Sequence, residues 1–158
     1  MGKTLATFVI TVFALAAVTS GARAQDLLMG TWKINLAKSK YNPGPPPRSL
    51  VIRFEPDGAN GVKYAQDQVK SQGQTQHVTY TFFFDGKDHP MTGDAGRDML
   101  STIRIDAYTI EQTSKKDGKV TSTSRRVISQ DGKTMTTTQK SANAQGRSFH
   151  NVVVYEKQ

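Results

Sequence analysis

Apolar and polar residues alternate with a period of two along most of the chain after residue 29, whereas the helical period of 3.6 residues is weak throughout. Successive side chains of a strand point to opposite faces, so the alternation predicts short strands that each bury one face. We expect strands at 29–36, 49–55, 61–70, 75–84, 98–105, 107–115, 118–129, 133–141 and 147–156, with a short tenth strand near 87–92.

Tight turns separate several of these predicted strands. Asp-Gly pairs favour two-residue hairpin turns because both residues tolerate positive φ. Consecutive hairpins give an antiparallel meander, and closure removes its two exposed edges. We therefore predict an all-β fold, a single antiparallel up-and-down β-barrel of about eight to ten strands. A flattened barrel or sandwich with a solvated polar face is the alternative. The four pairs are Asp57-Gly58, Asp85-Gly86, Asp117-Gly118 and Asp131-Gly132.

The predicted inner face has two chemically different walls. Its apolar wall comprises Leu50, Ile52, Phe54, Val78, Tyr80, Phe82, Phe84, Met99, Ile103, Ile105, Tyr108 and Ile110. Its opposite wall carries Val120, Ser122, Ser124, Arg126, Ile128, Met135, Thr137, Gln139, Phe149, Asn151, Val153 and Tyr155. Small polar side chains cannot fill a barrel of this size to native density. The pattern therefore predicts a cavity for water or a ligand.

Arg126 is the most informative charge on the polar wall. If it points inward, the cost of burying it demands an anion or a carboxylate partner. Its planar guanidinium suits a ligand carboxylate, and the neighbouring Arg125 then points outward. If the strand register slips by one residue, Arg126 is a solvated surface residue instead.

The N-terminal segment has the three-part layout of a secretory signal. Lys3 gives a basic start, Leu5–Val18 is an apolar run, and Ala22-Arg23-Ala24 supplies small residues for cleavage. The run is shorter than the ~20 residues that span a bilayer as a helix. We predict cleavage of residues 1–24, a single barrel domain over 25–158 and a periplasmic or secreted protein without a transmembrane anchor. An uncleaved anchor is the alternative.

Composition narrows the chemistry. The 158 residues include no cysteine, which excludes disulfides, thiolate metal sites and cysteine nucleophiles. The three histidines, His77, His89 and His150, lack a recognised metal-ligand spacing, and no catalytic motif is present. We expect no enzyme activity, cofactor or metal. The net charge is +8, but the basic residues do not form the clustered patch that is typical of a nucleic-acid-binding protein. We expect a solvated basic surface, with peripheral contact to an anionic envelope surface as the alternative.

Short motifs mark both ends of the predicted barrel. Gly30-Thr31-Trp32-Lys33 opens the first strand and Val154-Tyr155-Glu156-Lys157 closes the last, with hairpin motifs at Lys115–Lys119 and Asp131–Lys133. These motifs resemble the calycin superfamily, which includes lipocalins, fatty-acid-binding proteins and small lipocalin-like proteins exported by bacteria. The resemblance implies the barrel and structural roles for Gly30 and Trp32, with a pocket wall as the alternative for Trp32.

The chain also departs from the fatty-acid-binding pattern. Val153 and Lys115 replace two arginines of that pattern, and 37–49 is too short and proline-rich for two portal helices. The lipocalin Thr-Asp-Tyr motif is missing as well. The resemblance therefore implies the barrel without implying the ligand.

We predict an exported binding protein that holds a small apolar or amphiphilic molecule with an acidic head. Apolar surface would leave water against aromatic and aliphatic side chains while polar groups orient the ligand. An envelope interaction module without a pocket is the alternative. A small enzyme would need two inward titratable groups, which the pattern does not supply. The predicted ligand-binding residues are Arg126, Tyr155, Tyr80, Phe82, Phe84, Ile103, Tyr108, Ser124 and Gln139.

Overall fold

Ten antiparallel strands form a single sheet in the computed structural model, which describes residues 26–142 and 146–158. The predicted all-β antiparallel barrel is confirmed, and the predicted signal segment lies outside the described residues. Within the described residues, no helix is long and apolar enough to span a bilayer. The strands are β1 Gly30–Ile34, β2 Ser49–Asp57, β3 Gly61–Val69, β4 Thr75–Phe83, β5 His89–Pro90, β6 Met99–Arg104, β7 Thr109–Lys116, β8 Lys119–Ile128, β9 Thr134–Ala142 and β10 Ser148–Lys157.

Pairing of the first strand with the last curls the sheet into a nearly closed barrel. The strand order is β4-β3-β2-β1-β10-β9-β8-β7-β6-β5, and Ile34 of β1 lies opposite Tyr155 of β10. The two ends of the sheet meet where β4 approaches β6. A bridge between Asp85 and Ile103 joins them, with a 3.0 Å hydrogen bond from the Gly86 amide to the Thr102 carbonyl.

The tightest hairpin is the two-residue turn between β7 and β8. Asp117 and Gly118 have φ values of 49° and 74°, both in the left-handed region that an Asp-Gly pair tolerates. A β-bulge precedes this turn between Ser114 and Lys115, so that Lys115 pairs with Val120. The bulge shifts the register, and Val120, which we predicted on the inner face, is 58% exposed.

The segment from 35 to 48 connects β1 to β2 and contains no α-helix. A single 3₁₀ turn covers Leu36–Lys38, and the chain then runs beside β10, where Lys40 pairs with Val152. The amides of Lys40 and Val152 each donate to the other residue's carbonyl, at 2.7 and 2.8 Å. As the sequence predicted, this segment does not form two portal helices.

Apolar side chains fill one end of the barrel, which we call the lower half and which contains residues 26–29. Trp32 is fully buried there, and its Nε1 donates to the Leu28 carbonyl at 2.8 Å. Arg104 closes this end through Asp26, with a 2.6 Å Nη2–Oδ2 distance. Gly30 has a φ of 114°, which favours glycine at the start of β1. The buried apolar side chains here include Leu28, Trp32, Phe54, Val62, Phe82, Leu100, Ile110, Ile128 and Met135.

The register predicted for 98–105 is wrong by one residue. Leu100 and Thr102 are buried, whereas Ile103 and Ile105 are 40% and 48% exposed. The observed register puts Leu100 in the core and lets Gln112 Nε2 of β7 donate to the Thr102 hydroxyl at 3.0 Å. The inward orientations predicted for Met99, Ile103, Ile105 and Tyr108 are therefore incorrect. Tyr108 lies in the β6–β7 turn, 37% exposed.

Candidate functional site

A cavity of about 270 Å³ occupies the upper half of the barrel, between the apolar core and the end that contains residues 41–48. Its lining is mostly polar and comes from both sides of the barrel. The side chains around it are Tyr41, Leu50, Tyr64, Gln66, Gln68, Gln76, Tyr80, Asp94, Arg97, Gln112, Ser114, Ser122, Ser124, Arg126, Thr137, Gln139, Asn151, Val153 and Tyr155.

Arg126 of β8 lies at the floor of this cavity and is 9% exposed. Its Nη1 donates to Gln112 Oε1, and its guanidinium carbon lies 5.8 Å from the centre of the Phe54 ring. Its Nε has no hydrogen-bond partner, and neither has the buried hydroxyl of Thr137, which faces Arg126 across the β8–β9 pair. No carboxylate of the described residues forms an ion pair with Arg126. The site therefore presents a buried cation with an unused donor.

Three buried tyrosines surround this cation. The rings of Tyr64 and Tyr80 stack with centroids 4.6 Å apart, and Tyr155 lines the same space from β10. Burial raises the pKa of all three phenols, and the positive charge of Arg126 offsets part of that rise. The tyrosines are therefore neutral near neutral pH, and each hydroxyl can donate or accept a hydrogen bond.

Carboxamide side chains continue upward from the tyrosines. The Tyr64 hydroxyl donates to Gln66 Oε1 at 2.6 Å, and Gln66 Nε2 donates to Gln68 Oε1 at 3.1 Å. These three residues occupy alternate positions of β3, so their side chains share one face. On the other side of the cavity, Gln139 of β9 lies between Ser124 of β8 and Asn151 of β10 in the sheet register.

An ion pair from the loop between β5 and β6 contributes the upper rim. Arg97 Nε donates to Asp94 Oδ2 at 2.9 Å, and both side chains are about three-quarters buried. The Arg97 charge and hydrogen bond, together with a backbone bond from Gly96, outweigh burial and lower the pKa of Asp94. Tyr41, on the segment beside β10, covers the rim from another side, and its burial raises its pKa to about 12.

The structure brings only part of the predicted set together. Phe82 lies in the apolar lower core, and Phe84 is half-buried beneath Arg104, whose guanidinium is 4.1 Å from the ring centre. Ile103 and Tyr108 lie on the outside of the barrel. The predicted residues that line the cavity are Arg126, Tyr155, Tyr80, Ser124 and Gln139. Their role in binding stays a prediction.

Several lining residues were missed from the sequence. Tyr64, Gln66 and Gln68 share the parity of Val62, which is buried, so extending the alternation through β3 would have found them. Asp94 and Arg97 lie in an irregular loop, where no periodic pattern reports the direction of a side chain.

Titratable side chains are few among the described residues that line the cavity. Asp94 is the sole carboxylate among its described lining residues, and no histidine joins it there. The described residues contain no cluster of three or more histidine, aspartate or glutamate side chains that could hold a metal ion. The arrangement can position a ligand by charge and hydrogen bonds.

Comparisons with known proteins find similarity in structure. No family model and no curated protein sequence matches the chain. A fatty acid binding protein of Schistosoma mansoni, in complex with arachidonic acid, aligns with 84% of this chain and 96% of its own, with a TM-score of 0.56 and 17% identity.

Two further barrels align over similar spans. The zebrafish ileal bile acid-binding protein, complexed with cholic acid, covers 84% of this chain and 99% of its own, with a TM-score of 0.52 and 19% identity. The fluorescent protein UnaG covers 82% of this chain and 96% of its own, with a TM-score of 0.53 and 16% identity. The resemblance to calycin barrels of the fatty-acid-binding type is thereby confirmed at the level of fold.

Proposed function

We propose that this protein binds a small organic anion in the upper cavity of its barrel. The observation that carries the proposal is Arg126, a buried guanidinium that faces the cavity without a carboxylate partner. Arginine stays protonated in proteins, and removing its charge from water is costly unless an anion or several hydrogen bonds replace the lost hydration. A bound carboxylate would supply the countercharge and an acceptor for the free Nε.

The surroundings of Arg126 suit such an anion. The unpartnered hydroxyl of Thr137 and the buried phenols of Tyr80 and Tyr155 line the same cavity. The tyrosine ring faces, together with Leu50, add apolar contact, so recognition would combine charge with limited burial of apolar surface. The mechanism is non-covalent.

Binding is favoured over catalysis by the placement of the titratable groups. Asp94, the carboxylate of the described lining, is held by Arg97 at the rim. General acid–base chemistry needs a proton donor or acceptor within reach of the reacting group. Two barrels of the same fold were solved with arachidonic acid and cholic acid, which are both carboxylic acids. These ligands of other proteins support an acidic ligand here.

Titration with the anionic dye 8-anilinonaphthalene-1-sulfonate tests the proposal. We expect a saturable fluorescence increase with wild-type protein and a loss in affinity of about 2–5 kcal/mol, at least about 30-fold in Kd, for Arg126→Met. The matched control is Arg125→Met, which removes the same charge from the next residue. Arg125 is outside the barrel and pairs with Glu111 at 2.5 Å, so this variant should bind like the wild type. Equal affinities of the two variants, or no saturable binding, would contradict the proposal.

We also propose that the chain acts outside the cytoplasm. The basic start, the apolar run Leu5–Val18 and the small residues at 22–24 support this location. Fractionation of cells that express the full chain tests it, and recovery of the protein in the cytoplasm would contradict it.

A further inference from the structure

The cavity lining has a composition that an aliphatic tail does not explain. Its aliphatic side chains are Leu50 and Val153, whereas serines and Thr137 contribute hydroxyls on β7, β8 and β9. The remaining polar side chains of the walls are mainly carboxamides. These are Gln66, Gln68, Gln76, Gln112, Gln139 and Asn151.

Five of the six carboxamides lie on two walls of the cavity, one formed by β3 and β4 and the other by β9 and β10. Gln68 and Gln76 form a cross-strand pair between β3 and β4, and Gln139 pairs with Asn151 between β9 and β10. Each carboxamide offers an acceptor oxygen and two donor hydrogens. Within the described part of the chain, no side-chain hydrogen bond occupies Gln76 or Gln139. Both walls therefore present donors and acceptors to the same space.

These groups select for polar ligands through desolvation. A methylene chain packed between the walls would leave amide and hydroxyl groups without the hydrogen bonds that they make in water, which is unfavourable. A ligand hydroxyl both donates and accepts, so it can satisfy either end of a carboxamide. The stacked rings of Tyr64 and Tyr80 add flat apolar faces against which a ring can lie.

The size of the cavity also points to a compact molecule. About 270 Å³ lies just below the roughly 300–1,000 Å³ typical of ligand pockets. A long tail cannot continue into the lower half, because Phe54, Phe82 and other core side chains fill it. The cavity that would hold the ligand lies between this core and the rim formed by Tyr41 and Arg97.

We infer that the anion is a compact polyhydroxylated carboxylic acid, of the size of a single uronic acid, whose carboxylate pairs with Arg126 and whose hydroxyls bond the facing carboxamides. This inference rests on the proposed function, since it names the class of anion that the same cavity accepts. It differs from the partly apolar ligand that the sequence predicted, because the predicted apolar residues Phe82, Ile103 and Tyr108 lie outside the cavity lining.

Isothermal titration of purified protein with three matched probes separates the contributions. Glucuronate has a six-membered ring, hydroxyls and a carboxylate; cyclohexanecarboxylate lacks the hydroxyls, and glucose lacks the acid. We expect glucuronate to bind at least about tenfold more tightly than cyclohexanecarboxylate, and glucose to be weaker than glucuronate by a similar factor. Palmitate extends the comparison to a long aliphatic tail, and we expect it to bind more weakly than glucuronate.

Two variants test the carboxamides directly. Gln76→Leu and Gln139→Leu should each weaken glucuronate binding by about tenfold while leaving cyclohexanecarboxylate binding within about twofold. Gln130→Leu is the control, because Gln130 is exposed in the β8–β9 turn and lies outside the cavity lining. Far-ultraviolet circular dichroism and urea midpoints establish that each variant is folded before it is titrated.

The outcomes distinguish the two proposals. Cyclohexanecarboxylate or palmitate binding as tightly as glucuronate, with Arg126 required, would overturn the polyhydroxylated class and leave the anion site standing. The same conclusion would follow if the anionic dye bound in an Arg126-dependent manner and glucuronate did not. Binding of the dye and of every acid without dependence on Arg126 would overturn both proposals.

Discussion

Arg126→Met removes a buried positive charge and leaves an unbranched side chain in its place. Replacing a buried ion pair by apolar groups of similar volume is often neutral or stabilising by about 1–4 kcal/mol, and a buried cation without a counter-charge carries the same desolvation cost without the attraction that offsets it. Against this gain, the Gln112 oxygen loses its donor, which costs about 1–3 kcal/mol. The two effects nearly cancel, so we expect the free energy of unfolding of the ligand-free variant to lie within about 1 kcal/mol of the wild type.

Urea denaturation of ligand-free protein, followed by circular dichroism, measures this difference. Arg125→Met is the control, since its exposed pair with Glu111 should contribute only about 0–1 kcal/mol. Breaking a buried ion pair costs about 3–5 kcal/mol, because the remaining charge is left unpaired. A loss of that size for Arg126→Met, with an unchanged dependence on urea, would show that Arg126 stabilises the fold. The interpretation of its charge as available to a ligand would then be wrong.

Three further predictions concern the barrel and its export. Trp32→Phe removes the indole donor to the Leu28 carbonyl and should cost about 1–3 kcal/mol, measured as a lower urea midpoint; an unchanged midpoint would contradict this role. Burial raises the pKa of Tyr64, Tyr80 and Tyr155, so these phenols should not affect the pH dependence of stability near neutral pH, and stability should fall above pH ~10 as the unfolded chain ionises first. Equal urea midpoints at pH ~8 and ~11 would refute that reasoning. Deleting residues 2–24 should leave the protein in the cytoplasm on cell fractionation, and export of the deleted chain would disprove the signal interpretation.

The strands and their order could be predicted because both depend on local pattern. Asp117 and Gly118 both adopt positive φ, which an Asp-Gly pair tolerates, so the pair predicts the hairpin turn. The alternation at Val78, Tyr80 and Phe82 is uninterrupted and predicts the buried face of β4. The match of the first and last strands could be anticipated from their resemblance to calycin ends, and Ile34 does pair with Tyr155.

The side-chain directions on β6 could not be predicted in the same way. Apolar residues occupy both faces of this strand, with Leu100 on one face and Met99 and Ile103 on the other. Alternation alone favours the face with more apolar residues, whereas the fold buries the face that pairs Thr102 with Gln112. This choice depends on β7, which the sequence of β6 does not contain.

Part of the cavity lining on regular strands was predicted, whereas the lining residues of the β5–β6 loop were missed. The sequence allowed two registers for β8, and Arg126 points inward in one of them. It lies inward in the structure because Ile128, two residues along the same strand, is buried in the lower core. Asp94 and Arg97 reach the rim only because their loop folds over the top of β6. Their contribution depends on tertiary placement, which has no signature in a single sequence.

Division of the barrel interior into a packed end and a hollow end separates two kinds of evolutionary constraint. Substitutions at Trp32 or Phe82 would be limited by folding, whereas Gln76 and Gln139 line the cavity and lie outside the buried apolar core. The hollow end could therefore acquire a different specificity through a few exchanges, while the packed end keeps the scaffold intact. Such an arrangement makes this small barrel a suitable starting point for engineering receptors to other compact acids.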